Sequence, residues 1–391
     1  MEKPIPNNEI ELKRESVSKF LGARGVTEVE LLEPEILTRN SNNLIGNIEI
    51  LETSQESLEA ELKSAQIGNE KDRILKIIKS RAKVEKSVQE TKDIMEKLGL
   101  SPEDEIKIEK RTIRFKEDVG RSEVADIFPE RPKDQEITFY LYRPQNLTDQ
   151  SDVVVGVYSH GFSMKEEFSL HSNFPAMIHN FAEKSEVPVL LGTFDHRGST
   201  EETKSQYSLY DRVTDVAVVE LAMLGQDILG KDRKGNVKVS LLGNSVGGSI
   251  VAMASSDLNP DDVIMSQPSA YVAGSERKPI GDEFSKAIRV PEGWRNSPAF
   301  ISLGKYLQRG GHALVIGALK DQAIPEGVIN GYTKELLLAN YLSQKSYLRE
   351  VTTAYTQTTE KHIGAMWIDA GHESTTYGEL EAIVAQLKIR K

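Results

Sequence analysis

Five residues draw the first chemical question: Gly243-Asn244-Ser245-Val246-Gly247, a G-x-S-x-G set. It joins the apolar run "VKVSLL" to a stretch of small residues that starts at Val246. Two glycines around a serine let neighbouring backbone come close and push the hydroxyl outward, as a nucleophile elbow between strand and helix requires. A plain turn or a phosphate-binding loop also carries glycines. No Lys-Ser or Lys-Thr pair follows here, so a Walker-type phosphate loop is unsupported.

A serine hydroxyl is a weak nucleophile and needs a base, most often a histidine oriented by a carboxylate. The chain has seven histidines, at 160, 171, 179, 196, 312, 362 and 372. Only His160, His196 and His372 directly follow a strand-like run, which is where reacting groups gather on an open α/β sheet. His372 lies in "GHES", past the last such run, and is the expected base. With the acid placed between nucleophile and base in the chain, "HALVIGALKDQAIP" supplies Asp321. Glu326 in the same loop and Asp369 on the histidine's own strand are the alternatives. Asp369 is three residues from His372, an awkward separation for a bond across a site, so Asp321 is favoured.

Negative charge that develops on a reacting oxygen is best met by preorganised backbone N–H groups, worth about 3–4 kcal/mol per donor. Val246, directly after the serine, would give one. The other is expected from Phe162 in His160-Gly161-Phe162-Ser163, with Gly161 allowing the turn. His160 reads as a residue that holds this loop. The scheme needs no metal and no organic cofactor.

These residues can meet only if a sheet brings them together. From residue 106 onward short apolar runs alternate with helical stretches: "DVVVGVYS", "VPVLLGTF", "KVSLLG", "DDVIMS", "HALVIGA" and "GAMWIDA". Helices are expected near 172–184, 208–229, 246–256, 333–345 and 377–388. Such alternation predicts an α/β fold, a mostly parallel sheet with helices on both faces. "KRTIRFKEDV" and "QEITFYLYRP" read as two paired strands at its edge.

Residues 1–105 differ. Glycine is scarce there, and Leu44, Ile48, Leu51, Leu58 and Leu62 recur at helical steps, as do Ile74, Ile77, Ile78, Val84, Val88, Ile94 and Met95. In "LGLSPED" Gly99 suits the end of a helix, with Ser101 and Pro102 starting another. We therefore expect a helical hairpin or small bundle over 1–105 ahead of an α/β domain over 106–391. The helices would serve as a packing or self-association arm.

Composition narrows the function classes. Among 391 residues, 60 are acidic and 49 basic, a net charge of −11, which argues against general affinity for nucleic acid or an anionic membrane. The absence of cysteine excludes disulfides, thiolate metal sites and a cysteine nucleophile. No run reaches the roughly 18 apolar residues of a membrane span, and "MEKPIPNNEIELKRE" has no apolar segment of a signal peptide. A cytoplasmic protein is expected.

Over about 107–391 the sequence resembles the α/β-hydrolase family. "SHGF", "FDHRGST", "GNSVGG", "LKDQAIP" and "GHES" occur in that family's order, each at the end of an expected strand. "FDHRGST" is similar to the family's Asp-x-Arg-Gly-x-Gly loop, with Ser199 and Thr200 departing from its small-residue pattern. The resemblance implies acyl transfer to water through Ser245, Asp321 and His372 on a small acyl substrate, closest to esterase, monoacylglycerol-lipase and serine-aminopeptidase-like members. Thioester or peptide hydrolysis, or a catalytically inactive binding module, are the other readings. A serine at the elbow argues against the dehalogenase and epoxide-hydrolase branches, which carry aspartate there. The family's cap position falls at 270–308, where Tyr271, Phe284, Trp294, Phe300 and Tyr306 either line an acyl pocket or pack the insertion on the sheet. Two segments of the first 105 residues, "GVTEVELLEPEILTRNSNNLIGNIEILE" and "ILKIIKSRAKVEKSVQETKDIMEKLGLSPED", loosely resemble mitochondrial-terminator-type helical repeats, whose members bind nucleic acid.

Overall fold

A computed structural model describes residues 8–40, 85, 88–101, 104–118, 132–145, 147–161, 167–200, 203, 206–231, 233–270, 297–320, 328, 332, 350–352, 363–368 and 375–388. Among these, eleven strands form one sheet. They are β1 (Val26–Leu31), β2 (Glu35–Asn40), β3 (Glu105–Glu117), β4 (Asp134–Tyr142), β5 (Val153–Ser159), β6 (Val189–Phe194), β7 (Val237–Asn244), β8 (Asp262–Ser266), β9 (His312–Ala318), β10 (Glu350–Thr352) and β11 (Ile363–Ile368). The spatial order is β1-β3-β4-β6-β5-β7-β8-β9-β11-β10, with β2 also on β3.

Strands β6, β5, β7, β8, β9, β11 and β10 run parallel, while β3 and β4 join antiparallel at one side. This is the mostly parallel sheet expected of an α/β fold. Every residue of β5, β6 and β8 is buried. Such continuous apolar runs are what a parallel sheet covered on both faces requires.

The covering helices are α1 (Asn8–Ala23), α2 (88–98), α3 (Asn173–Lys184), α4 (Leu209–Met223), α5 (Val246–Leu258), α6 (Pro298–Gln308) and α7 (Tyr377–Leu387). One face packs residues of α1, α4, α5 and α6 against Val155, Val157, Val239 and Leu241. The other packs α2, α3 and α7 against Val154, Tyr158, Leu242 and Ile264. Both α4 and α7 start with a reciprocal capping box, Ser208 with Asp211 and Thr376 with Glu379. Each box satisfies two orphan amides and fixes where the helix leaves the sheet. No helix among the described residues is long and apolar enough to cross a membrane.

The first 105 residues require a correction. After α1 the chain forms β1 and β2, and both pair antiparallel with β3. The described part of the first repeat-like segment is therefore extended, over 26–31 and 35–40, and adds strands to the sheet; its residues 41–52 lie outside the described residues. Leu44 to Leu62 and Ile74 to Val84 lie outside the described residues. Gly99 does close α2, at φ +70°, but the helix expected after Ser101 does not continue, because β3 begins at Glu105. The Ser101 amide instead donates to the Asp104 carboxylate at 2.7 Å.

Nor does α1 stand apart. Val17 and Leu21 are buried in the core, Lys13 Nζ bonds Asp261 at 2.6 Å, and the Arg24 guanidinium lies 3.4 Å from the centre of the Tyr210 ring. Its apolar face is covered by its own chain, and no boundary separates residues 8–40 from the sheet.

The expected cap also changes at its end. Residues 298–308 form α6, packed on α5, with Phe300 and Tyr306 almost fully buried. Tyr306 Oη donates to the carbonyl of Pro260 or His312 and accepts from the His312 amide. Both aromatics are core residues. Tyr271, Phe284 and Trp294 lie outside the described residues.

Candidate active site

Ser245 is the N-cap of α5, one residue past the end of β7. Its backbone has φ +52° and ψ −118°, a conformation that L-residues rarely adopt. Three backbone bonds hold it there. The Ser245 amide donates to Ser266 O at 2.9 Å, and the Ser245 carbonyl accepts from Gly248 N at 3.1 Å and Ser269 N at 3.0 Å. The two glycines of the motif are required by space. A Cβ on Gly243 would overlap the Gly247 carbonyl, and one on Gly247 would overlap Ser159 O and lie 2.5 Å from His160 O. The helix can thus approach the end of β5 as closely as it does only with glycine at 247.

That close approach brings the Ser159-His160-Gly161 turn against the serine. A Cβ on Gly161 would lie 3.3 Å from Ser245 Cβ and 3.4 Å from Asn244 Oδ1. Val246 opens the first turn of α5, where amides have no intrahelical acceptor and the helix dipole is positive. Phe162, the other expected oxyanion donor, lies outside the described residues. So do Asp321, His372, Glu326 and Asp369. Of the expected catalytic set, Ser245 and Val246 are placed, side by side at the carboxyl end of the sheet.

The remaining strand-end histidines hold loops. His160 is fully buried, with Nδ1 donating to the Gly161 carbonyl and its ring 5.1 Å from that of His196. His196 Nε2 pairs with Ser159 Oγ at 2.7 Å. Burial, reinforced by Arg212 beside both rings, holds each well below the usual imidazole range, so both are neutral near pH 7.

Arg197, in the Asp-x-Arg-Gly-like loop, is a buried hub. It donates to Asp215 Oδ1 at 2.6 Å, Glu117 Oε2 at 2.8 Å and Gln135 Oε1 at 3.2 Å. Those carboxylates outweigh burial and push its pKa up. This hub ties the loop after β6 to β3, β4 and α4. Beside it lies a cavity of about 380 Å³ lined by Tyr140, Asp195, Arg197, Ser199, Thr203 and Tyr207 among others.

Sequence reasoning missed the support beneath the elbow. Ser266, at the end of β8, accepts from Asn244 Nδ2 at 3.3 Å through Oγ and donates from that oxygen to Glu379 Oε1. Glu379 is 1% exposed. Burial pushes its carboxyl up to about 7, against the opposing effect of its bonds from Ser266 and the Thr376 amide. The T-x-x-E spacing of Thr376 and Glu379 does signal a helix start, but nothing local signals contact with a strand end 113 residues earlier. Among the described residues no group of three or more His, Asp or Glu side chains could hold a metal ion.

No protein-family model matches the sequence, and no curated protein matches it. Among solved structures the chain is similar to esterase 2 of Thermogutta terrifontis, at 14% identity and TM-score 0.40, over 65% of this chain and 87% of that one. It is also similar to a candidate dipeptidyl aminopeptidase IV from Bacteroides ovatus, at 12% identity and TM-score 0.43, over 72% of this chain and 41% of that one. A third likeness is to a bifunctional GH43-CE protein of Bacteroides eggerthii, at 11% identity and TM-score 0.44, over 64% of this chain and 35% of that one.

Proposed function

We propose that the protein is a serine hydrolase that cleaves an ester-type acyl bond of a small substrate. The observation that carries this reading is the turn at Ser245. A serine is held at φ +52° between a buried parallel strand and a helix, with Gly161 packed against its Cβ. A turn that only reversed the chain would be more stable with glycine there, so a serine in this conformation is best explained by a use for its hydroxyl.

In the proposed reaction His372, oriented by Asp321, takes the Ser245 hydroxyl proton as Oγ bonds to the acyl carbon. The Phe162 and Val246 amides hold the oxyanion. Collapse breaks the bond to the leaving oxygen, which departs with the proton from His372. Water then attacks the acyl-serine, giving its proton to His372, and the acid product leaves as Ser245 Oγ is reprotonated.

Hydrolysis of p-nitrophenyl acetate tests this. Ser245→Ala should abolish turnover with folding intact, and Asp321→Asn should lower kcat by orders of magnitude through the lost orientation of His372. A Ser245→Ala protein that keeps most of the wild-type rate removes the proposal. An equally large loss in Glu326→Gln with none in Asp321→Asn would move the acid to Glu326.

A further inference from the structure

Beneath the elbow, three bonds converge on one residue. Ser266 O accepts the Ser245 amide at 2.9 Å, and Ser266 Oγ accepts from Asn244 Nδ2 at 3.3 Å and donates to Glu379 Oε1. Residues 244 and 245 are thereby bound to a side chain that enters from α7, on the face of the sheet opposite α5. We propose that Glu379 is a positioning residue for the nucleophile, acting through Ser266. The inference rests on the reading of Ser245 as the nucleophile.

The two carboxylate oxygens have separate partners. Oε2 accepts the Thr376 amide at 3.4 Å and closes the capping box, while Oε1 accepts from Ser266. Capping alone needs only the first bond. The group is almost fully buried, as Asp211 of the α4 box also is, so it is the second bond, to Ser266, that goes beyond capping. The second bond fixes the Ser266 hydroxyl proton on Glu379, which leaves the Ser266 lone pairs facing Asn244. A Cβ on Gly161 would come within 3.4 Å of Asn244 Oδ1, so the bonds that run from α7 through β8 end on a side chain packed near the Gly161 turn. Tyr158 of β5 is a titratable group near Glu379, and its ionisation is opposed first by burial and then by the Glu379 carboxylate.

A misplacement of about 1 Å at a reacting group can lower a rate roughly 100-fold. The test measures kcat and KM for p-nitrophenyl acetate, the rate of fluorophosphonate labelling and the urea midpoint. The proteins are wild type, Ser266→Ala, Glu379→Gln and Glu379→Ala in the full chain. The proposal expects Ser266→Ala and Glu379→Ala to lower kcat and the labelling rate about tenfold or more, with KM within about twofold, since these residues do not touch substrate. Glu379→Gln, which keeps an acceptor for Ser266, should recover most of kcat. Wild-type kcat and labelling in Ser266→Ala, whatever its midpoint, would overturn the proposal and leave only a structural contact. If Glu379→Ala fails to fold, Ser266→Ala and Glu379→Gln still decide it. A wild-type protein that neither turns over ester nor takes label overturns the hydrolase reading itself, and this inference with it.

Discussion

Replacing Ser245 by glycine should give a more stable protein than replacing it by alanine. Both variants lose the hydroxyl, so their difference isolates the backbone. At φ +52° and ψ −118° a residue with a Cβ is strained, and such strain is of order 1–3 kcal/mol. Glycine removes it but makes the unfolded chain freer, a loss of about 0.5–1 kcal/mol. The balance favours Ser245→Gly by roughly 0.5–2 kcal/mol. With a urea slope near 3 kcal/mol/M, that moves the midpoint up by roughly 0.2–0.7 M relative to Ser245→Ala. Ser255 in α5 is the internal control: it is helical, and there glycine should be the less stable of the two by about 1 kcal/mol. Equal or lower stability of Ser245→Gly, with the expected order at 255, would mean that strain at the turn is no more than the roughly 0.5–1 kcal/mol that glycine costs through the unfolded chain, and the elbow would lose its physical basis.

Two further outcomes can be checked. Gly247→Ala should separate the helix start from the end of β5, because the new Cβ would overlap Ser159 O; stability should fall by about 1–3 kcal/mol and ester turnover by more than that loss accounts for. Glu220, fully buried in α4 with Oε2 unpartnered among the described residues, has its carboxyl pushed up to about 8 by burial. Its folded value lies above the unfolded one, so its contribution is fully present below about pH 4.5 and is lost as pH rises through 8. The loss is on the order of 5 kcal/mol. Glu220→Gln should therefore match wild type in urea midpoint near pH 5 and exceed it near pH 9; identical curves at both pH values would refute the assignment.

How much the sequence disclosed depends on what each element buries. Strands β5 to β9 and β11 were legible because each carries a short, mostly apolar run, as a strand covered on both faces requires. The elbow was legible because both glycines and the serine sit within five residues, although only Gly243 answers to its sequence neighbour Gly247, while Gly247 answers to Ser159 and His160 on another strand end. By contrast, β1 and β2 were read as helix. "VTEVEL" and "EILTRN" are charged edge segments joined to β3 by backbone bonds, and β1 is irregular, with a register shift between Thr27 and Glu30 and Glu28 at φ +53°. The three-residue β10 is too short to leave a pattern. In α6, Phe300 and Tyr306 looked equally suited to a substrate pocket, since residue type does not reveal which side of the sheet an aromatic faces. The bond between Ser266 and Glu379 is a product of tertiary packing, with no periodicity to announce it.

The most direct measurement is mass mapping after incubation with a fluorophosphonate. The account predicts a single adduct on Ser245 in the wild-type protein, with labelling slowed by orders of magnitude in His372→Ala. A folded wild-type protein that takes no adduct, or takes it on a serine other than Ser245, would contradict the account.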